Sequence, residues 1–132
     1  MLGKSLQYIY NKYNIDPEYF VKTDTVNSST IVVTCRTSVT YPYYTFEIDR
    51  NSDECVSYGT VSKDRKVYDT YIELLSLVGK TVDHDPKNEN TTFLVRTNTG
   101  NNLYFSIKQP FKNSELVSRR NIFYILVTEA DQ

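Results

Sequence analysis

The sequence predicts an α+β fold in which an N-terminal helix and a central helix pack on one face of an antiparallel sheet of about five to six strands. Three observations support this prediction. Apolar residues recur at helical spacing in two segments, β-branched and aromatic residues alternate with polar ones in several others, and short polar turns separate these segments. Because the chain has 132 residues and no low-complexity linker, we expect a single domain over residues 1–132.

The first helix is predicted from five apolar residues that share one helix face: Leu2, Leu6, Ile9, Tyr10 and Tyr13. Asn14 is suited to end this helix. The Asp-Pro-Glu triplet at residues 16–18 then supplies an N-cap, a proline at the first helical position and an acid in the first turn. This combination predicts a short second helical turn that continues to about Val21.

Three strands follow the N-terminal region. Alternating apolar and polar residues predict strands over 31–36 and 43–48, with a bend at 41–42 between them. The polar residues 49–53 form a turn that leads to a third strand at about 54–61.

The central helix is predicted to begin at the N-cap Ser62 and to end at Gly79. Its apolar stripe is expected to pack in the core: Val67, Tyr71, Leu74, Leu75 and Val78. A polar loop over 83–90 precedes two strands, 92–98 and 103–109, which are joined by a hairpin turn at 99–102. Residues 122–127 are apolar on both faces and predict a central, doubly covered strand.

Composition and charge restrict the setting in which the protein works. Fifteen basic and 16 acidic residues leave a net charge of −1, which creates no overall field to attract a polyanion. No apolar run is long enough to span a membrane and the N-terminus lacks a signal-peptide core, so we expect a soluble, cytoplasmic protein without membrane contact. Abundant residues with AT-rich codons fit a phage, viral or mobile-element origin, and they also fit a low-GC bacterium.

The inventory of catalytic groups is small. The single histidine, His84, lies between Asp83 and Asp85, and these are ordinary metal-ligand types, but three adjacent residues rarely converge on one ion. We therefore interpret this segment as part of a polar loop. The two cysteines, Cys35 and Cys55, form no zinc pattern and are expected to be buried and reduced. The sequence predicts a protein that is not an enzyme and that has no metal and no cofactor.

Aromatic and basic residues form the one suggestive constellation. The candidate binding residues are Tyr41, Tyr43, Tyr104, Lys108, Lys112, Arg119 and Arg120. Tyrosine is favoured at protein interfaces, where its ring is buried and its hydroxyl stays hydrated. We therefore predict a non-catalytic protein-binding module of the inhibitor, immunity or adaptor type, compatible with homo-oligomers. The alternative is a single-stranded nucleic-acid-binding protein that stacks bases on tyrosines beside a weak basic strip.

Overall fold

The chain forms eight strands and two helices within the residues that the computed structural model describes, which are 1–16, 18–38, 42–85, 90–108 and 122–130. It divides into two compact units, residues 1–60 and residues 61–132. Each unit consists of one helix followed by four strands, although the last two residues of the fourth strand belong to the second unit. The predicted strand number of five to six is therefore wrong, while the combination of helices with antiparallel strands holds.

The first unit contains one helix and a four-stranded sheet whose spatial order follows the chain. Its elements are α1 (Leu6–Asn14), β1 (Phe20–Thr25), β2 (Thr30–Arg36), β3 (Tyr43–Asp49) and β4 (Glu54–Ser62). The pairs β1–β2 and β2–β3 are antiparallel and run without a register shift. Sequential order is expected where short turns connect neighbouring strands.

Helix α1 covers one face of this sheet. Ser5 caps its N-terminus, and the Ser5 hydroxyl accepts a hydrogen bond from the backbone N–H of Tyr8 at 3.2 Å. Ile9 is fully buried in the core of the unit, with Leu6 and Tyr13 packed around it. The strands contribute the other buried members of this core: Val33, Cys35, Phe46, Ile48 and Cys55.

The predicted helical turn after α1 is wrong, because β1 begins at Phe20. The Asp16 carboxylate does accept a hydrogen bond from the backbone N–H of Glu18 at 2.9 Å, while Pro17 lies outside the described residues. This Asx-turn reproduces the first turn of a helix and then stops. The chain continues as a strand because residues 20–25 pair along their whole length with β2.

The second unit repeats the arrangement of a helix followed by four strands in sequential order. Its elements are α2 (Arg65–Val78), β5 (Lys80–Asp85), β6 (Asn90–Arg96), β7 (Asn102–Lys108) and β8 (Phe123–Glu129). Neighbouring strands are antiparallel, and β5 has a bulge between Thr81 and Asp83. The predicted turn before β7 is confirmed, since Gly100 has a φ of 87° and donates its backbone N–H to the Thr97 carbonyl.

Helix α2 uses a different row of side chains for packing than the sequence predicts. Leu75 is buried as expected, and Val67 and Tyr71 pack against the same core. Leu74 and Val78 do not, since they are 53% and 65% exposed. The helix is rotated toward a neighbouring apolar row that contains Tyr68 and Ile72. Tyr68 stacks on the buried ring of Phe123 with the centroids 4.6 Å apart, which favours this rotation.

The two ends of α2 are determined by capping and by a close contact. Asp64, two residues after the predicted N-cap, accepts a hydrogen bond from the backbone N–H of Lys66 at 3.0 Å. At the other end, Gly79 has an extended backbone, with φ −114°. A Cβ at this position would lie 2.9 Å from the Leu75 carbonyl oxygen and 3.2 Å from that of Leu94. Glycine is therefore explained by this close approach of two backbones.

The last strand, β8, is covered less completely than predicted. Phe123, Ile125 and Val127 point to the helix-covered side and are buried, whereas the intervening Tyr124 and Leu126 are only half-buried. The opposite side of β8 is therefore a partly accessible surface that combines an aromatic ring with an aliphatic side chain.

Candidate protein-contact surface

The described candidate residues lie on sheet faces that their own unit's helix does not cover. Tyr43 is in β3 of the first unit, and Tyr104 and Lys108 are in β7 of the second unit. The other four candidates, Tyr41, Lys112, Arg119 and Arg120, lie outside the described residues.

In the second unit, Tyr104 and Lys108 share one face of β7. They are four positions apart, and Ile107, on the opposite face, is buried beneath α2. Tyr104 pairs with Leu94 on one side and with Thr128 on the other, while Lys108 pairs with Tyr124. Two half-buried tyrosines and an exposed lysine are thus placed on a single face.

In the first unit, the strand register aligns three side chains in one row, which we call the Arg36 platform: Phe20, Arg36 and Tyr43. Arg36 pairs directly with Phe20 of β1 and with Tyr43 of β3. The Arg36 guanidinium lies over the Tyr43 ring, 4.9 Å from its centroid. Such a cation–π contact holds the cation in one orientation and contributes roughly 0.5–1 kcal/mol at an exposed site. Phe20 is 65% exposed at the end of this row.

A groove of about 300 Å³ adjoins the Arg36 platform along β1 and β2. It is lined by Phe20, Val21, Lys22, Asp24, Thr34 and Arg36. An exposed phenylalanine beside a fixed guanidinium is a combination that protein partners bury readily, since aromatic residues and arginine are enriched at interfaces.

The charges on this face are balanced. Lys22 and Arg36 share it with Asp24 and Glu47, as the pairing of the three strands shows. The Glu47 carboxylate accepts a hydrogen bond from the Ser57 hydroxyl at 2.8 Å. Balanced charge suits a protein surface of mixed sign and gives little attraction for a run of phosphates.

Sequence reasoning identified Tyr43 but missed Phe20 and Arg36. Phe20 falls within the helical turn that residues 16–18 predict up to about Val21, whereas the structure places it in strand β1. Arg36 ends β2 and Tyr43 begins β3, with the chain reversal between them. Two residues that flank a hairpin connection face one another, so this pair had a usable signal in the sequence.

The acidic residues around His84 belong to strand β5, and the predicted loop over 83–90 is wrong for residues 83–85 and for Asn90, which begins β6. The His84 Nδ1 lies 2.8 Å from the Thr91 hydroxyl on the paired strand β6. Neighbouring residues of a strand alternate between its two faces, so His84 points away from Asp83 and Asp85. Among the described residues, no group of three His, Cys, Asp or Glu side chains is arranged to hold a metal ion.

Both cysteines are free and buried in the core of the first unit. Burial raises the pKa of the Cys35 thiol to about 11. It also raises the pKa of Cys55, whose thiol donates to the Ser57 carbonyl at 3.3 Å. A raised pKa keeps a thiol protonated at neutral pH, which is opposite to the activation that a nucleophilic cysteine requires.

Comparison with protein-family models, with curated protein sequences and with solved structures finds no match to this chain. Within the described part of the chain, neither helix combines the length and the apolar character needed to cross a lipid bilayer.

Proposed function

We propose that the protein is a non-catalytic binding module that contacts another protein through the helix-free face of its first unit. The observation that supports this most directly is the Arg36 platform, in which an oriented guanidinium, a half-buried tyrosine and an exposed phenylalanine lie in one row. Aromatic residues and arginine dominate the binding energy of protein interfaces when they are rigid and central. An inhibitor, immunity protein or adaptor would act by this kind of contact.

The proposed setting is the cytoplasm of a phage-infected or mobile-element-bearing host. The free, buried thiols of Cys35 and Cys55 support a reducing compartment. The abundance of residues with AT-rich codons supports the proposed phage or mobile-element origin.

Binding of single-stranded nucleic acid is the weaker proposal. It is favoured by the second unit, where Lys108 pairs with Tyr124 on the same face as Tyr104. It is opposed by the balanced charges beside the Arg36 platform and by the net charge of −1.

Affinity capture with quantitative mass spectrometry, followed by titration of the purified partner, tests the proposed function. We expect Arg36→Ala to weaken the captured complex about tenfold or more, because an interfacial arginine commonly contributes more than 1 kcal/mol. Arg96→Ala is the matched control, since Arg96 is an exposed strand residue of the other unit. Binding that survives Arg36→Ala but not Arg96→Ala would contradict the proposed surface.

A parallel titration with labelled poly-dT and poly-U at two salt concentrations examines the alternative. Tight binding that salt weakens steeply and that the joint substitution of Arg119 and Arg120 by alanine abolishes would make nucleic-acid binding the primary function. We expect weak binding, because few cations are available to release counterions.

A further inference from the structure

We propose that β1 is a self-complementary edge strand through which two copies of this chain pair, antiparallel and centred on Thr23. This inference concerns a second copy of the chain and goes beyond the partner protein of the proposed function. It rests on three features of β1, which are its unpaired backbone edge, its regular register and the order of its side chains.

The outer edge of β1 has backbone groups available for pairing. Val26 donates its backbone N–H to the Thr30 carbonyl at 3.0 Å, and antiparallel pairs alternate between bonded and non-bonded positions. The N–H and C=O groups of residues 20, 22 and 24 therefore point toward β2. Those of Val21, Thr23 and Thr25 point outward, and the described residues of other elements make no backbone hydrogen bond with them.

The side chains of β1 are complementary to those of a second β1 strand that runs antiparallel to it. A two-fold axis at Thr23 pairs residues of the two copies whose numbers add up to 46. Lys22 of each copy therefore faces Asp24 of the other copy. Lys22 and Asp24 are 76% and 51% exposed, and their ion pair within one chain, 3.6 Å long, is a surface contact. Cross-strand pairs of opposite charge stabilise an antiparallel ladder.

The same axis also matches the apolar ends of the segment. Phe20 would face Val26 of the other copy, and these residues are 65% and 59% exposed. Their pairing would occur twice and would remove four exposed apolar side chains from water. Charge complementarity at the centre and apolar contacts at both ends therefore select a second copy in one register.

The other edge strand, β5, provides a contrast within the chain. Its register is interrupted by the bulge between Thr81 and Asp83, a feature that protects an edge from pairing. The ladder of β1 is continuous from the Phe20–Arg36 pair to the Thr25–Ile31 pair, so its edge lacks this protection.

Charge reversal at β1 tests the proposal in the full chain by analytical ultracentrifugation. We expect a wild-type dimer that Lys22→Asp or Asp24→Lys alone weakens about tenfold or more, because each change places like charges opposite one another twice. The double variant Lys22→Asp/Asp24→Lys should dimerise like the wild type. Arg50→Asp, in an exposed turn, controls for the change in net charge.

Mixing the two single variants separates pairing between chains from any effect within one chain. Lys22→Asp facing Asp24→Lys restores both ion pairs between copies, so native mass spectrometry should detect a heterodimer that is more abundant than either homodimer. A wild-type chain that stays monomeric at every concentration reached would overturn the proposal. A dimer indifferent to all these variants, or heterodimers no stronger than the homodimers, would also overturn it. Arg36→Ala should leave the dimer intact and weaken only the complex with the partner protein. Failure of the dimer and failure of the proposed function can therefore be told apart.

Discussion

At the residue scale, burial makes two ionisable groups of the first unit sensitive to alkaline pH. Burial raises the pKa of Tyr13 to about 12 from 10.0, with the neighbouring Cys35, Tyr44 and Tyr19 adding to the rise. The pKa of Cys35 rises to about 11 from 9.0 for the same main reason. Tyr13 packs at 5.3 Å from Tyr19 and at 5.5 Å from Phe46, measured between ring centroids, so its environment is aromatic.

These raised pKa values predict a loss of stability at high pH. Because the folded values exceed the unfolded ones, both groups contribute stability that is complete below pH 9 and is lost as the pH rises toward 12. Urea unfolding at successive pH values should show this fall in the free energy of unfolding. Tyr13→Phe should make the fall shallower, because phenylalanine does not ionise, and Tyr10→Phe controls for the loss of an exposed hydroxyl. An unchanged slope in Tyr13→Phe would contradict the prediction.

At the scale of one element, the rotation of α2 distinguishes two adjacent leucines. Leu75 is 5% exposed and Leu74 is 53% exposed. We expect Leu75→Ala to lower the free energy of unfolding by about 2–5 kcal/mol, since it leaves a cavity between helix and sheet. Leu74→Ala should change it by less than about 0.5 kcal/mol, as is usual for surface positions. Denaturant unfolding of the two variants side by side measures both values, and equal losses would show that the helix is rotated differently.

The two strands that the sequence analysis missed share one property. β1 and β5 are the edge strands of their units, and both follow a helix and expose almost every side chain. An edge strand needs no apolar face, so the alternating or continuous apolar patterns that predict other strands of the chain are absent. The capping pattern at residues 16–18 instead predicts a helical turn where β1 begins, and the polar residues from Asp83 onward predict a loop where β5 ends.

At the scale of the whole molecule, the boundary between the units falls inside a strand. It lies between Thr60 and Val61, within β4, and Val61 and Ser62 are buried. Domain boundaries usually fall in exposed linkers. The expectation that residues 1–132 behave as a single domain stays a prediction.

A thiol-labelling experiment tests this single-domain prediction. Cys35 and Cys55 are buried in the first unit, so their reactivity in urea reports its unfolding. Leu75→Ala, in the second unit, should shift the midpoint for thiol exposure by the same amount as the midpoint for loss of far-UV circular dichroism. Thiols that stay protected after the second unit has unfolded would show two independent domains.

The shared order of one helix and four strands in both units was also invisible in the sequence. The corresponding segments share the type of element but no repeated motif, since β1 contains Phe20 and Lys22 where β5 contains Lys80 and Val82. Apolar patterning specifies which residues are buried in each element and does not require the same residues in both units.

Among the elements that the structure describes, the sequence by itself determined both helices, six of the eight strands and the hairpin turn at Gly100, because local periodicity and turn chemistry depend on neighbouring residues. Tertiary structure decided what depends on distant partners. Pairing with β2 and β6 turned two polar segments into strands, and packing against Phe123 chose the buried row of α2. Strand register alone placed Phe20, Arg36 and Tyr43 in one row, since cross-strand alignment is set by pairing between segments and not by spacing along the chain.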